Sequence, residues 1–181
     1  ITDDINGTIR SQTTPDMGAM EFTVEGSALA GSYTVGAGAD YDSISTALNA
    51  LTIYGVSGPI TFNILAGTYD DPVALGQVYG ASATNTITFQ SADANADSVI
   101  WENTANSSAS NYVLKLNGAD HITLKNLTFK NVGGNYSQKI VLSGVLDSVT
   151  IDSSKFVGPV TNNNSNNYSS VNGYNCEAAG L

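Results

Sequence analysis

Apolar residues alternate with polar ones in a series of short runs, and each run stops at a corner. In "GPITFNILAGTYDD", Gly58 to Asp71, Phe62 and Ile64 alternate with polar neighbours before Ala66-Gly67-Thr68-Tyr69 and a pair of acids. Alternation that ends in a glycine turn predicts a half-buried strand entering a corner. The next residues, "PVALGQVYGASA", begin with proline and make a poor returning strand, so a hairpin is not expected. Upstream, Ser32–Val35 alternates as a short strand and "GAGAD" breaks it. A helix over about 42–53 follows, with Tyr41, Ile44, Leu48 and Leu51 at i, i+3, i+7 and i+10. Ala47 thickens that stripe, Asp40 or Asp42 can cap its start, and Gly55 suits its end. No other segment carries a convincing helical period.

The strand patterns recur. "TFNI" at 61–64 returns as "TITF" at 86–89, an offset of 25. "VLKLNGADHITLKNLTF" at 113–129 returns as "IVLSGVLDSVTIDSSKF" at 140–156, with Leu116 on Leu142 and Ile122, Leu124 and Phe129 on Val149, Ile151 and Phe156. A longer step of 35 separates Phe89 from Leu124. Repeats in the mid-twenties, several short strands each, with polar corners, predict coils of a parallel β-solenoid. The chain after Gly67 therefore turns and comes round again one strand spacing on, about 4.8 Å. Phe62, Ile64, Ile87, Phe89, Ile122, Leu124, Val149 and Ile151 are expected to stack inside. The helix, placed just before the first coil, is expected to plug the end that would otherwise expose apolar side chains and unpaired strand edges.

Composition narrows the function. Sixteen acids oppose six Lys and Arg, a net charge of −10, which argues against nucleic acid and against anionic membrane surfaces. The charge is uneven. Residues 1–114 hold twelve acids against Arg10 alone, whereas residues 115–181 hold four acids and all five lysines. The acidic excess reads as a solubilising surface before it reads as a metal site. The single cysteine, Cys176, excludes an internal disulfide and reads as a small apolar residue rather than a reactive thiol. With one histidine, His121, and no Cys pair, zinc and iron–sulfur sites are not expected. No apolar run is long enough to span a membrane. The chain opens at Ile1 without Met or a signal peptide, so a processed or excised piece of a longer protein is expected.

Taken in order, "GSYTVGAGADYDSISTALNALTIYGVSGPITFNILAGTYDD" and "SATNTITFQSADANADSVIW" resemble the N-terminal part of right-handed parallel β-helix (pectin-lyase-like) domains. They look like those of very large secreted proteins of bacteria with type IX secretion, over roughly residues 28–160. The resemblance implies an all-β right-handed parallel β-helix with one N-terminal amphipathic capping helix, in a protein that is secreted or held at the cell surface. "DINGTIR" and "PDMGAMEF" look like the closing signature of a preceding domain of the same kind. Residues 1–26 are thus expected to be a tail or linker, and 27–181 the cap and first coils of a second domain, cut short at "NCEAAGL".

Pectin methylesterases share this N-terminal layout, and the resemblance supplies a test for chemistry. "SQKIVLSG" at 137–144 is similar to their Gln-Ala-Val-Ala-Leu segment, with Gln138 in the matching place. Their Gly-Tyr-Gln-Asp-Thr corner is replaced by "KFVGPVTNNN", and the strand bearing their catalytic acid is not reached before Leu181. Acid–base chemistry of that kind needs a carboxylate pair on neighbouring coils. Asp120 and Asp147 stand one repeat apart, but both precede strands, where aspartate caps a turn. Asp3, Asp4 and Asn6-Gly7 match part of a calcium loop and read as an Asx turn; Asp70-Asp71 reads as a solvated corner. His121 has no motif partner and reads as exposed or locally hydrogen-bonded. The tract at 161–175 reads as a loop by default, or as an asparagine ladder, or as a sugar-facing surface with Tyr168 and Tyr174 as stacking rings. Asn-x-Ser/Thr triplets such as that at Asn106 follow from composition. The expectation is a non-enzymatic structural or display module, adhesive or in contact with a glycan, with neighbouring domains of its own polypeptide and polysaccharide as partners. No catalytic, metal-binding or cofactor-binding residue and no cofactor is assigned. The alternative is the front of a polysaccharide-active enzyme whose catalytic coils lie downstream, and a calcium-stabilised sugar-binding module comes third.

Overall fold

A computed structural model describes residues 27–104, 107–159 and 168–178, the last five by backbone only. Along the chain run β1 (Leu29–Val35), α1 (Ile44–Tyr54), β2 (Val56–Ile64), β3 (Gly67–Asp70), β4 (Val73–Leu75), β5 (Ile87–Ser91), β6 (Val99–Asn103) and β7 (Leu114–Asn117). Then come β8 (Ile122–Lys125), β9 (Thr128–Asn131), β10 (Ile140–Leu146), β11 (Thr150–Asp152), β12 (Lys155–Val157) and β13 (Val171–Ala178). From β2 onward each group of three strands makes one coil, and all strand pairs among the described residues are parallel. The first sheet runs β1-β2-β5-β8-β11, the second β3-β6-β9-β12, the third β4-β7-β10-β13. This is the right-handed parallel β-helix expected from the repeats.

Like residues stack over like. Tyr33, Phe62 and Phe89 lie in register on β1, β2 and β5, and the Phe62 and Phe89 rings stack with centroids 4.9 Å apart. Trp101, Phe129 and Phe156 repeat the device in the second sheet, at 5.6 and 5.7 Å. Such pairs contribute about 0.5–1.5 kcal/mol each beyond the area they bury. Phe62 faces Phe89, so the offset is 27 and not the 25 expected for this step. A slip of two residues keeps every side chain on its own face, so alternation alone cannot exclude it. Ring over ring and Asn63 over Gln90 settle the register. The other offsets hold: Phe89 over Leu124, Leu116 over Leu142, Leu124 over Ile151, Phe129 over Phe156. Six of the eight expected inward residues are buried, whereas Val149 and Ile151 are half-buried because they belong to the final described coil.

Tight corners turn the chain between sheets. Asn126 and Ser153, one coil apart, take left-handed backbone between the first and second sheets. His121 and Ser148 do the same between the third and first. Non-glycine residues reach that region at a cost that Asn bears best. Gly80 has no such alternative: at φ 83° a Cβ would stand 2.0 Å from the Val56 carbonyl oxygen.

Helix α1 covers the N-terminal end, with Ile44, Ala47, Leu48, Ala50 and Leu51 buried and in contact with β1, β2 and β4. Its N-cap is Ser43, in a reciprocal capping box with Thr46, rather than Asp40 or Asp42. Those two carboxylates serve the preceding turn, Asp40 accepting from Thr34 and Asp42 from the Gly38 N–H. Tyr41 lies outside the helix, bridged to Val35. Leu48→Asp should therefore cost about 2–4 kcal/mol, because it leaves a charge unpaired in an apolar contact. Urea unfolding measures this, and an unchanged midpoint would rule out the plug.

Candidate functional site

The first sheet turns two polar columns outward. One is Thr34, Asn63, Gln90, Lys125 and Asp152, whose side chains are largely partnered. Asn63 Nδ2 donates to Ser32 Oγ at 2.8 Å and Gln90 Nε2 to Asn63 Oδ1 at 2.9 Å. Lys125 Nζ lies 3.8 Å from Asp152, and Thr34 Oγ1 donates to Asp40. The other column is Ser32, Thr61, Thr88, Thr123 and Thr150.

At the edge of that sheet lies a groove of about 230 Å³, lined by Ala83, Thr86, His121, Thr123, Ser148 and Thr150. Three successive coils build it. His121 is held by its left-handed backbone and by its N–H, which donates to the Asp147 carbonyl at 2.8 Å. Its side chain is 14% exposed, with Nε2 4.0 Å from an Asp147 carboxylate oxygen. Asp120 Oδ1 accepts the Asp147 N–H at 2.8 Å, and Ser148 Oγ donates to Asp147 Oδ1 at 2.9 Å. Asp120 and Asp147 are thus brought together, but as rungs of a corner. Ser148 gives its proton to a carboxylate instead of to His121, so the three side chains do not form a nucleophile–base relay.

The corner between the second and third sheets carries a different ladder. Asn103 and Asn131 stack in register, below Asp71 and above Gly158 by continuation of the same strands. Asn103 Nδ2 donates to the Ser110 and Tyr112 carbonyls, and Asn131 Nδ2 donates to Gln138. In the next coil the position is Gly158, where a Cβ would meet Lys139 Nζ at 2.4 Å. Lys139 is buried and donates to the Tyr168 carbonyl at 3.3 Å. Gln138 is buried too, its N–H donating to Asn111 Oδ1 at 3.0 Å.

Several expectations change here. Asp70 and Asp71 are not a merely solvated corner: Asp70 accepts from Thr104, and Asp71 Oδ2 accepts the Ser45 N–H in the first turn of α1 at 2.7 Å. The Asp71 carbonyl also accepts Trp101 Nε1 at 2.8 Å, so one residue ties the plug to the next coil. The five lysines that composition gathers in 115–181 are mostly engaged. Lys125, Lys130 and Lys155 pair with Asp152, Glu102 and Asp97, and Lys139 is buried, which leaves Lys115. The asparagine ladder stands at Asn103 and Asn131, and β13 (Val171–Ala178) takes up 171–175 of the tract read by default as a loop. Residues 1–26, including Asp3, Asp4 and Asn6-Gly7, together with Asn106 and 160–167, lie outside the described residues, as do the side chains of Tyr174 and Cys176. Among the described residues no three His, Cys, Asp or Glu side chains group as metal ligands, and no helix is long and apolar enough to cross a membrane.

No family model matches the chain, and no curated protein does. Two solved structures match, both pectin methylesterase from Aspergillus niger, one deglycosylated and one keeping an N-acetylglucosamine stub. Each has a TM-score of 0.43 at 14% identity. The matches cover 73% and 87% of this chain, and 58% and 70% of the respective enzyme chains.

Burial lowers the pKa of Lys139 below the ordinary 10.5. The unfolded chain then holds that proton more tightly than the folded one, so this residue adds stability as pH rises toward the unfolded value. Burial raises the Tyr41 and Tyr69 phenols, which act in the opposite sense as pH passes their ordinary 10.0. The expected outcome is a urea midpoint of the parent that gains on that of Lys139→Met between about pH 8 and about pH 10. A constant or shrinking difference would contradict a desolvated amine.

Proposed function

We propose that this chain is a non-enzymatic β-helix module of a large secreted or cell-surface bacterial protein. It acts as a stiff spacer that joins neighbouring domains of its polypeptide and displays the outer face of its first sheet. The observation that carries this reading is the fate of the carboxylates. General acid–base cleavage of a glycan needs two acids free to exchange protons across a substrate. The Asp120 carboxylate instead accepts the Asp147 backbone N–H, and Asp147 holds Ser148 and faces His121. Coils that stack in register, with rings over rings in two of the sheets, suit a spacer. Secretion and a surface location rest on the sequence resemblance given above.

The test is turnover. The purified chain should release neither methanol nor unsaturated ends from methylated or unmethylated polygalacturonate. Turnover that Asp120→Asn or Asp147→Asn abolishes would replace this reading with the enzymatic one.

A further inference from the structure

The threonine column invites a ligand in a way that its neighbour does not. Strand propensity explains threonine on a half-buried sheet. It does not explain the contrast between two columns of the same face. In the amide and charged column Gln90 donates to Asn63 and Lys125 faces Asp152, and Asn63 also reaches across to Ser32 at the start of the hydroxyl column. The hydroxyls of Thr61, Thr88, Thr123 and Thr150 have no protein partner among the described residues and recur at every coil, about 4.8 Å apart. The groove opens beside this row and adds Thr86 and His121.

We propose that this row and groove form a track for an uncharged, polyhydroxylated glycan lying along the solenoid axis. Each hydroxyl of the row both donates and accepts, as each sugar hydroxyl does, and the coil spacing is close to the advance per residue of an extended pyranose chain. Charge selects the class. The acids at this edge are Asp120 and Asp147, the latter half exposed, and the one lysine on the face, Lys125, lies beside Asp152. A polyuronate would meet carboxylates with no free cation to receive it, and like charges repel it. No aromatic side chain stands in either outward column, so binding comes from many weak hydrogen bonds and strengthens with ligand length. The track rests on the reading of this face as a displayed surface, but it does not need the chain to be inert.

The experiment is titration calorimetry of the full chain with β-1,4-linked glucose, xylose and mannose oligomers, from dimer to hexamer, and with polygalacturonate hexamer. At least one neutral series should bind, more tightly with length and with little response to salt, and polygalacturonate should not. Thr123→Val with Thr150→Val keeps shape and strand propensity while removing two hydroxyls, and should weaken binding about tenfold, the loss of two neutral hydrogen bonds. An unchanged melting temperature would show that the variant is folded; if it falls, Thr88→Val alone takes its place. Binding by no neutral oligomer, binding insensitive to the variants, or salt-sensitive binding of polygalacturonate would each overturn the track. Cleavage of a bound neutral oligomer would end the non-enzymatic reading and leave the track standing.

Discussion

Every strand of this molecule depends on the coil above or below it presenting the same kind of residue at the same place. In a parallel stack the partner of each strand arrives a full coil later in sequence, so register has no hairpin to fix it. Phe62 on Phe89 and Phe129 on Phe156 supply the fix. A slipped coil would keep its apolar face inward but lose the ring contacts and the Asn63–Gln90 bond together. The same in-register rule assembles the outer columns, which is why a functional surface on this scaffold comes as a row and not as a cluster.

The ends of the stack obey a separate constraint. At the N-terminal end, α1 brings five buried apolar residues over the opening. Asp71 fastens it by accepting the Ser45 N–H, while its own carbonyl receives Trp101. An acidic side chain at a helix N-terminus also complements the helix dipole. Polar groups elsewhere follow the same economy: Asp120 binds the next corner, Asn103 and Asn131 hold their loops, and Lys139 bonds the Tyr168 carbonyl in the coil where Gly158 leaves the ladder without a side chain. Much of the charge that composition presents as an acidic surface is spent on joining coils.

Legibility followed chemistry. The coil repeat, the single helix and its buried stripe could be read from alternation and period because burial imposes both. The first register could not, since "TFNI" and "TITF" match equally well two residues apart until the rings are stacked. The Ser43 cap was hidden just after two aspartates with better credentials, and the hydrogen bond from Thr46 decided in its favour. The groove was out of reach for a different reason. Its residues come from three coils, and His121 meets Ser148 only once the offset of 27 is applied to the corner as well as to the strands. With all offsets in hand, the row Thr61, Thr88, Thr123 and Thr150 could have been written down from the sequence.

The central claim is the register, and paired cysteines test it most directly. In a chain whose natural Cys176 is replaced by serine, Thr61→Cys with Thr88→Cys puts two thiols on adjacent strands of one face, about 4.8 Å apart, within reach of a disulfide. Thr61→Cys with Thr86→Cys represents the slip of two residues. The account predicts rapid oxidation of the first pair in the folded protein and slow oxidation of the second, read by the mobility shift on non-reducing gels. Preferential oxidation of the 61–86 pair would contradict the stacking on which the columns, the ladder and the track all rest.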